Sequence, residues 1–198
     1  MRFSHASFLL RFKLIALAPQ ISVEDPSGKV QLYVRQKLLK LKESVQVFQD
    51  DSQRQIEYNI NADRIIDFRA RYAITDANGR VVGAIKQRGL KSIWRIHFDV
   101  EDSFGRGSYS IEEENPWVRV LDSVLESIPV IGVFSGYLLH PTYLIKNASG
   151  VEVGRVKKQA ALFEGIFALS FEPSLPESER ELLTLSSLMM ILVERSRG

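Results

Sequence analysis

The residues best suited to chemistry in this chain are basic and grouped. Arg35, Lys37, Lys40 and Lys42 follow one another closely, as do Lys86, Arg88 and Lys91, and Lys157 and Lys158 are adjacent. Two readings stand for such groups. On an outer surface they are solvated and keep the protein soluble. Against a charged leaflet, each contributes about 1 kcal/mol of attraction to anionic headgroups. The formal net charge is only +2 over 198 residues, so any basic surface is local rather than global and bulk charge gives no reason to expect nucleic acid. On the second reading the partner is an anionic phospholipid surface.

Other chemistry finds less support. Asp99, Glu101 and Asp102 could hold a hard cation with the help of carbonyl oxygens. A regular strand, however, sends Asp99 and Glu101 to one side and Asp102 to the other, which fits a solvated strand face better. The three histidines, His5, His97 and His140, have no partner that spacing can establish. Gly132-Val133-Phe134-Ser135-Gly136 lacks the spacing of a nucleophile elbow, and no helix follows Gly105-Arg106-Gly107 to make a phosphate loop. No catalytic set, metal site or cofactor is therefore expected. The absence of cysteine removes disulfides, thiolate zinc and cysteine nucleophiles, and suits a reducing, cytoplasmic setting.

What positions the basic groups is a repeated unit. Tyr72-Ala-Ile-Thr-Asp-Ala-Asn-Gly-Arg-Val-Val-Gly-Ala-Ile-Lys86 returns as Tyr143-Leu-Ile-Lys-Asn-Ala-Ser-Gly-Val-Glu-Val-Gly-Arg-Val-Lys157, with seven identities in fifteen positions and no gap. Tyr72 and Ile74 share one face of a strand, Asp76 to Gly79 supply a turn, and Val81, Gly83 and Ile85 share a face beyond it. Gly79 and Gly150 fit a positive φ in that turn. Gly83 and Gly154 fall inside strands, where glycine marks a close approach by something else.

Weaker copies of the hairpin span Ile21–Val34 and Val45–Tyr58, and a fifth begins at Ile93, where Trp94, Ile96, Phe98 and Val100 alternate with polar residues. Phe8, Leu10, Phe12 and Leu14 alternate in the same way near the N-terminus, and Arg11 and Lys13 break the apolar run that a signal peptide requires. Five hairpins in one chain predict a closed or nearly closed antiparallel barrel, because closure removes unpaired strand edges. The whole chain, 1–198, reads as one such domain.

Two segments follow helical spacing instead. Trp117, Val120, Leu121, Val124, Leu125 and Ile128 predict a short amphipathic helix. Leu182 to Val193 are apolar on nearly every side, with acidic residues before and Arg195 and Arg197 after, as the helix dipole favours. That run is too short for the roughly 20 residues needed to cross a bilayer, so it belongs inside the protein. Gly83 and Gly154, facing inward, would make room for it, and Thr184, Ser186 and Ser187 would bond carbonyls one turn back.

A barrel of repeated hairpins threaded by an apolar C-terminal helix resembles the tubby C-terminal-like superfamily, which includes the LURP-one-related proteins and the phospholipid scramblases. Tyr33-Val-Arg-Gln-Lys-Leu-Leu-Lys-Leu41 is similar to the opening motif of the LURP-one-related proteins, and 72–86 with Gly89-Leu-Lys-Ser-Ile-Trp-Arg-Ile96 resembles their following repeats. Pro141-Thr-Tyr-Leu-Ile-Lys-Asn-Ala-Ser-Gly150 and the final helix resemble the scramblase-like bacterial branch. The resemblance runs from about Ile21 onward. It implies about twelve strands around a central helix, association with phospholipids, and no established reaction for most of the family.

The chain departs from scramblases where they carry an acidic calcium-binding segment and acylated cysteines. Here Phe163 to Pro176 is largely apolar and cysteine is absent. The leading expectation is thus a non-enzymatic protein binding anionic headgroups from the cytoplasmic side, peripheral to the membrane, or a scaffold there. The runner-up is a scramblase, which must supply a polar path through the bilayer.

Overall fold

Strands form where apolar and polar residues alternate, and each buries its apolar set on one side. In the computed structural model, residues 2–13, 20–35, 44–63, 71–88, 96–115, 141–161 and 164–195 are described. In chain order the strands are β1 (Ser7–Lys13), β2 (Gln20–Glu24), β3 (Val30–Arg35), β4 (Ser44–Phe48), β5 (Ile56–Ala62), β6 (Arg71–Asp76), β7 (Val81–Gln87), β8 (His97–Glu101), β9 (Gly107–Glu113), β10 (Thr142–Asn147), β11 (Glu152–Gln159) and β12 (Glu164–Phe171). Every neighbouring pair is antiparallel, and β1 pairs β12 from Ser7↔Ser170 to Lys13↔Glu164, which closes the barrel. The ladder is thinnest between β3 and β4, where Tyr33↔Phe48 is the pairing among the described residues. The expected amphipathic helix over 117–128 lies outside the described residues.

The hairpin repeat has a specific physical origin in its turns. Asp25, Asp76, Asp102 and Asn147 each place their side-chain Oδ1 to accept backbone N–H groups two and four residues on, at 2.8 to 3.1 Å. Asp50 accepts from the Ser52 N–H at 2.9 Å in the same manner. Three residues after each of these acceptors the backbone adopts positive φ, at Gly28, Gly79, Gly105 and Gly150, and at Gln53 in the remaining turn. Such a turn pre-sets the hairpin because the Asx side chain imitates the next backbone turn. The Ser27 hydroxyl and the neighbouring N–H groups hold the Asp25 carboxyl down at about 2.

Each of the five hairpins also carries a one-residue register shift just beyond its turn. A bulge there increases local twist, which a closed barrel needs. It also corrects one expectation. Ile74 pairs with Gly83 but Thr75 with Val81, so Val81 is released from the inward face of Gly83 and Ile85 and is 49% exposed.

The C-terminal helix, α1 (Glu177–Arg195), fills the barrel. Leu183, Leu185, Leu188, Met189 and Met190 are wholly buried, each removal from water contributing about 1.5–3 kcal/mol as an upper estimate. They pack in one cluster with Phe8, Leu10, Ile21, Val34, Ile60, Ile74, Phe98, Ile111, Ile145 and Leu169 from strands around the whole ring. Gly83 lets the helix approach β7: a Cβ there would lie 2.7 Å from Leu182 Cδ1 and 2.4 Å from the Glu101 carbonyl oxygen. Gly154, expected to admit the helix too, instead clears the Ser170 carbonyl and the Phe171 ring, at 2.6 and 2.9 Å from a Cβ. The bulky neighbour on β12 takes the space that glycine leaves. The hydroxyls of Thr184, Ser186 and Ser187 are buried but do not bond back to the helix carbonyls as expected; the side chains follow packing inside the barrel.

The start of α1 is fastened to the barrel wall by polar contacts. Arg180 donates to the carbonyls of Leu175 (2.9 Å), Pro173 (2.8 Å) and Ser4 (2.6 Å), and the Phe3 N–H donates to Glu177 at 3.2 Å. The Tyr58 hydroxyl donates to Glu181 at 2.9 Å and Arg80 to the same carboxylate at 3.0 Å, while Tyr109 donates to Glu179. Burial, with the carboxylate beside each, raises both tyrosine hydroxyls. Acidic residues in the first turn also complement the helix dipole.

Two substitutions test this packing. Met190→Asp would bury an unpaired charge, costing several kcal/mol against a total of about 5–15, so circular dichroism should find the variant unfolded at room temperature. Gly83→Ala should cost about 1–3 kcal/mol by overpacking. Adding Leu182→Ala should recover part of that loss, a non-additivity that denaturant unfolding of the single and double variants will measure.

Candidate functional site

In an up-and-down barrel all connections leaving odd-numbered strands lie at one end. Here β3 finishes at Arg35, β7 runs through Lys86 to Gln87 with Arg88 next, and β11 carries Lys157 and Lys158 near its finish. The described members of the three basic groups therefore gather at one rim. Around that rim they are spread, because β3, β7 and β11 stand four strands apart in the ring, about a third of the circumference each. Lys37, Lys40, Lys42 and Lys91 lie outside the described residues.

The three groups differ in their surroundings. Arg88 donates to Asp99 at 2.8 Å, and Lys86 stands directly across from the same Asp99. Nearby, Arg71 bonds Glu101 at 2.7 Å and also Asp63, and Lys146 bonds Glu112. This side of the wall is a lattice of compensating charges. Lys157 is exposed and faces outward, while Lys158 shares the inward face with its cross-strand partner Phe167, which separates two residues that sequence reading had grouped.

The β1–β3 side of the rim is different. Lys13 pairs across with Gln20, and Gln20 with Arg35, so the two cations flank one glutamine on the outward face. Adjacent strands are about 4.8 Å apart, which puts their backbones about 10 Å from each other. Both are exposed and neither makes an ion pair to a described side chain, and on its other side Lys13 stands across from Glu164 of β12. Just inside them, Arg195 at the end of α1 lays its guanidinium over the Phe12 ring, 5.0 Å from the centroid. Sequence reading passed over Lys13 and Arg195: the first lay in a strand read for its apolar face, the second in a helix end read for its dipole. The strand-finishing position of Lys13 was the signal available.

The side chains of the acidic group have protein partners. Asp99 and Glu101 are engaged by Arg88 and Arg71. Asp102 is a turn acceptor whose carboxyl is held below its ordinary value, first by the Arg106 backbone N–H and also by the Arg106 side chain. Among the described residues no group of three histidine, aspartate or glutamate side chains is placed to hold a metal. His97 lies 3.6 Å from Asp99 and 3.8 Å from Glu112 on the outer wall.

The outer wall also bears on membrane crossing. Asn59, Asn61, Arg71, Thr75, Lys86, Asp99, Glu101 and Glu112 lie on strand positions that alternate with the buried set. A lipid-facing barrel carries an apolar band there. Among the described residues no helix is long and apolar enough to cross a membrane.

The architecture defines a class: a closed twelve-stranded antiparallel barrel plugged lengthwise by its own C-terminal helix. Within that class the family described as LURP-one-related matches residues 30–163, more than half of the chain, and the protein belongs to that family. No curated protein matches it.

Calcium at millimolar concentration should leave the melting temperature unchanged relative to chelator, because a ligand binding only the native state must raise it. Differential scanning fluorimetry checks this. A rise of several degrees, abolished by Asp99→Asn with Glu101→Gln, would restore the cation reading of that strand.

Proposed function

We propose that the protein is a non-enzymatic, peripheral binder of anionic phospholipid surfaces, docking end-on through the rim where β1, β3 and α1 finish. One observation carries the reading: Lys13 and Arg35 are exposed, adjacent across a single glutamine, and make no ion pair to a described side chain, Glu164 of β12 standing across from Lys13 on its other side. The cations of the β6–β10 wall are instead engaged by carboxylates. Lys37, Lys40 and Lys42 follow directly in the chain after Arg35, which adds positive charge to the connection that leaves this part of the rim. Lys157 extends the basic surface on β11.

The opposite end supports the same orientation. It carries Asp25, Asp50, Asp76 and Asp102 in the turns and Glu177, Glu179 and Glu181 at the start of α1. An anionic leaflet would repel that end and attract the other, so the field of the whole molecule orients it before contact. Scrambling would need a polar path for headgroups through the bilayer, and the charged outer wall suits water rather than acyl chains.

Reversal of charge at each end separates the two surfaces. Lys13→Glu with Arg35→Glu should weaken flotation with phosphatidylserine/phosphatidylcholine vesicles by about tenfold or more, at about 1 kcal/mol per basic residue. Lys29→Glu with Arg54→Glu, both exposed at the turn end, should leave flotation nearly unchanged. Wild-type binding should fall with salt. Equal flotation of the two double variants would remove the rim as the contact.

A further inference from the structure

Arg195 differs from every other arginine engaged in the barrel wall. Its guanidinium carbon lies over the Phe12 ring, 5.0 Å from the centroid, and it makes no hydrogen bond or ion pair to any described side chain. Gly165 forms the floor of its position: a Cβ there would stand 2.7 Å from Arg195 Nη1, and 3.4 Å from the Phe12 Cβ. The backbone of β12 is thus cut back at the one point where the guanidinium lies. The ring beneath is itself fixed, with Phe12 and Phe167 edge to face at 5.8 Å. A cation seated over a ring face is attracted by the ring's negative face and keeps its N–H groups available to another partner.

Chemistry follows from that arrangement. A guanidinium is itself a rigid planar fork that fits two oxygens of one phosphate, with geometry a lysine cannot reproduce. Partial burial pulls its pKa below the ordinary arginine value. Lys13 follows Phe12 in β1 and so points to the opposite, outer face of the wall.

We infer that Arg195, seated over Phe12 in the notch left by Gly165, is a binding residue for a phosphomonoester oxyanion at the basic rim. The ligand chemistry is that of a terminal phosphate, borne either by a lipid headgroup or by a small soluble molecule. The lipid source rests on the membrane reading above; the oxyanion site does not.

The test uses the full chain, vesicles containing phosphatidic acid in phosphatidylcholine, and soluble glycerol phosphate. Arg195→Met should bind the phosphatidic acid vesicles about tenfold more weakly, as expected for one charge-assisted pair, with a smaller loss on phosphatidylserine vesicles. Arg195→Lys should recover little, although it keeps the charge and the stack. Glycerol phosphate should displace wild type from the vesicles and raise its melting temperature, and do neither for Arg195→Met. If Arg195 only complements the helix dipole, the melting temperature will change and affinity will not, which overturns the inference. Full recovery by Arg195→Lys overturns it too, since diffuse charge would then suffice. Should Arg195→Met fail to fold, the lysine variant decides. If wild type floats with no vesicle yet glycerol phosphate stabilises it through Arg195, the oxyanion site stands and the membrane reading falls. If the Lys13/Arg35 reversal abolishes flotation while Arg195→Met behaves as wild type, the reverse holds.

Discussion

A helix apolar on nearly every side can exist in water only if something encloses it, and the remaining structure follows from that requirement. Twelve strands close on themselves through β1 and β12, so among the described residues every strand has a neighbour on both sides. The inward-facing row from each strand meets the helix or its neighbours in one continuous cluster. Where the wall comes closest to the helix, at β7, the side chain is reduced to a hydrogen at Gly83. The helix enters at the turn end, where Arg180, Glu177, Glu179 and Glu181 fasten it to carbonyls, an N–H, tyrosine hydroxyls and Arg80. The enclosed helix thereby also fixes where its own last residue, Arg195, emerges.

Much of this was legible in the sequence because the information is local. Alternation marks strands, Asp-x-x-Gly and its variants mark turns, and a twelve-residue apolar run flanked by charge marks an enclosed helix. The repeated stretch at 72–86 and 143–157 is one hairpin drawn twice because both copies meet the same demands: an inward tyrosine and isoleucine, an Asx turn, a positive-φ glycine and a bulge. Gln53 shows the limit of that rule, since it occupies a positive φ of 55° with no glycine to announce it. The bulges also went unread, and with them the outward turn of Val81, because a register shift belongs to two strands and not to one.

The candidate site was legible only in part, for a related reason. Sequence spacing groups residues along a strand, whereas a site at the end of a barrel gathers residues from strands far apart in the chain. Lys13 and Arg35 come to the outer face, and Arg195 to the inner face, of one part of the rim only because β1 lies between β12 and β2, and because the helix runs back through the centre. Lys157 and Lys158, adjacent in sequence, are sent to opposite faces of β11 by the same pleat that groups Lys157 with the outer wall. Among the described residues, acidic side chains gather where α1 begins, while Lys13, Arg35 and Lys157 stand exposed at the end where it finishes. That polarity follows from the helix dipole at one end and serves orientation at the other.

Native-state hydrogen exchange on the amides of Leu182 to Val193 tests the enclosure most directly. If the helix is the permanent centre of a closed barrel, those amides can exchange only when the whole molecule unfolds. Their opening free energy should then equal the global unfolding free energy from denaturant titration and match that of β7 and β12. Helix amides exchanging well below the global value, while the strands stay protected, would show that the helix leaves an intact barrel and would contradict the account.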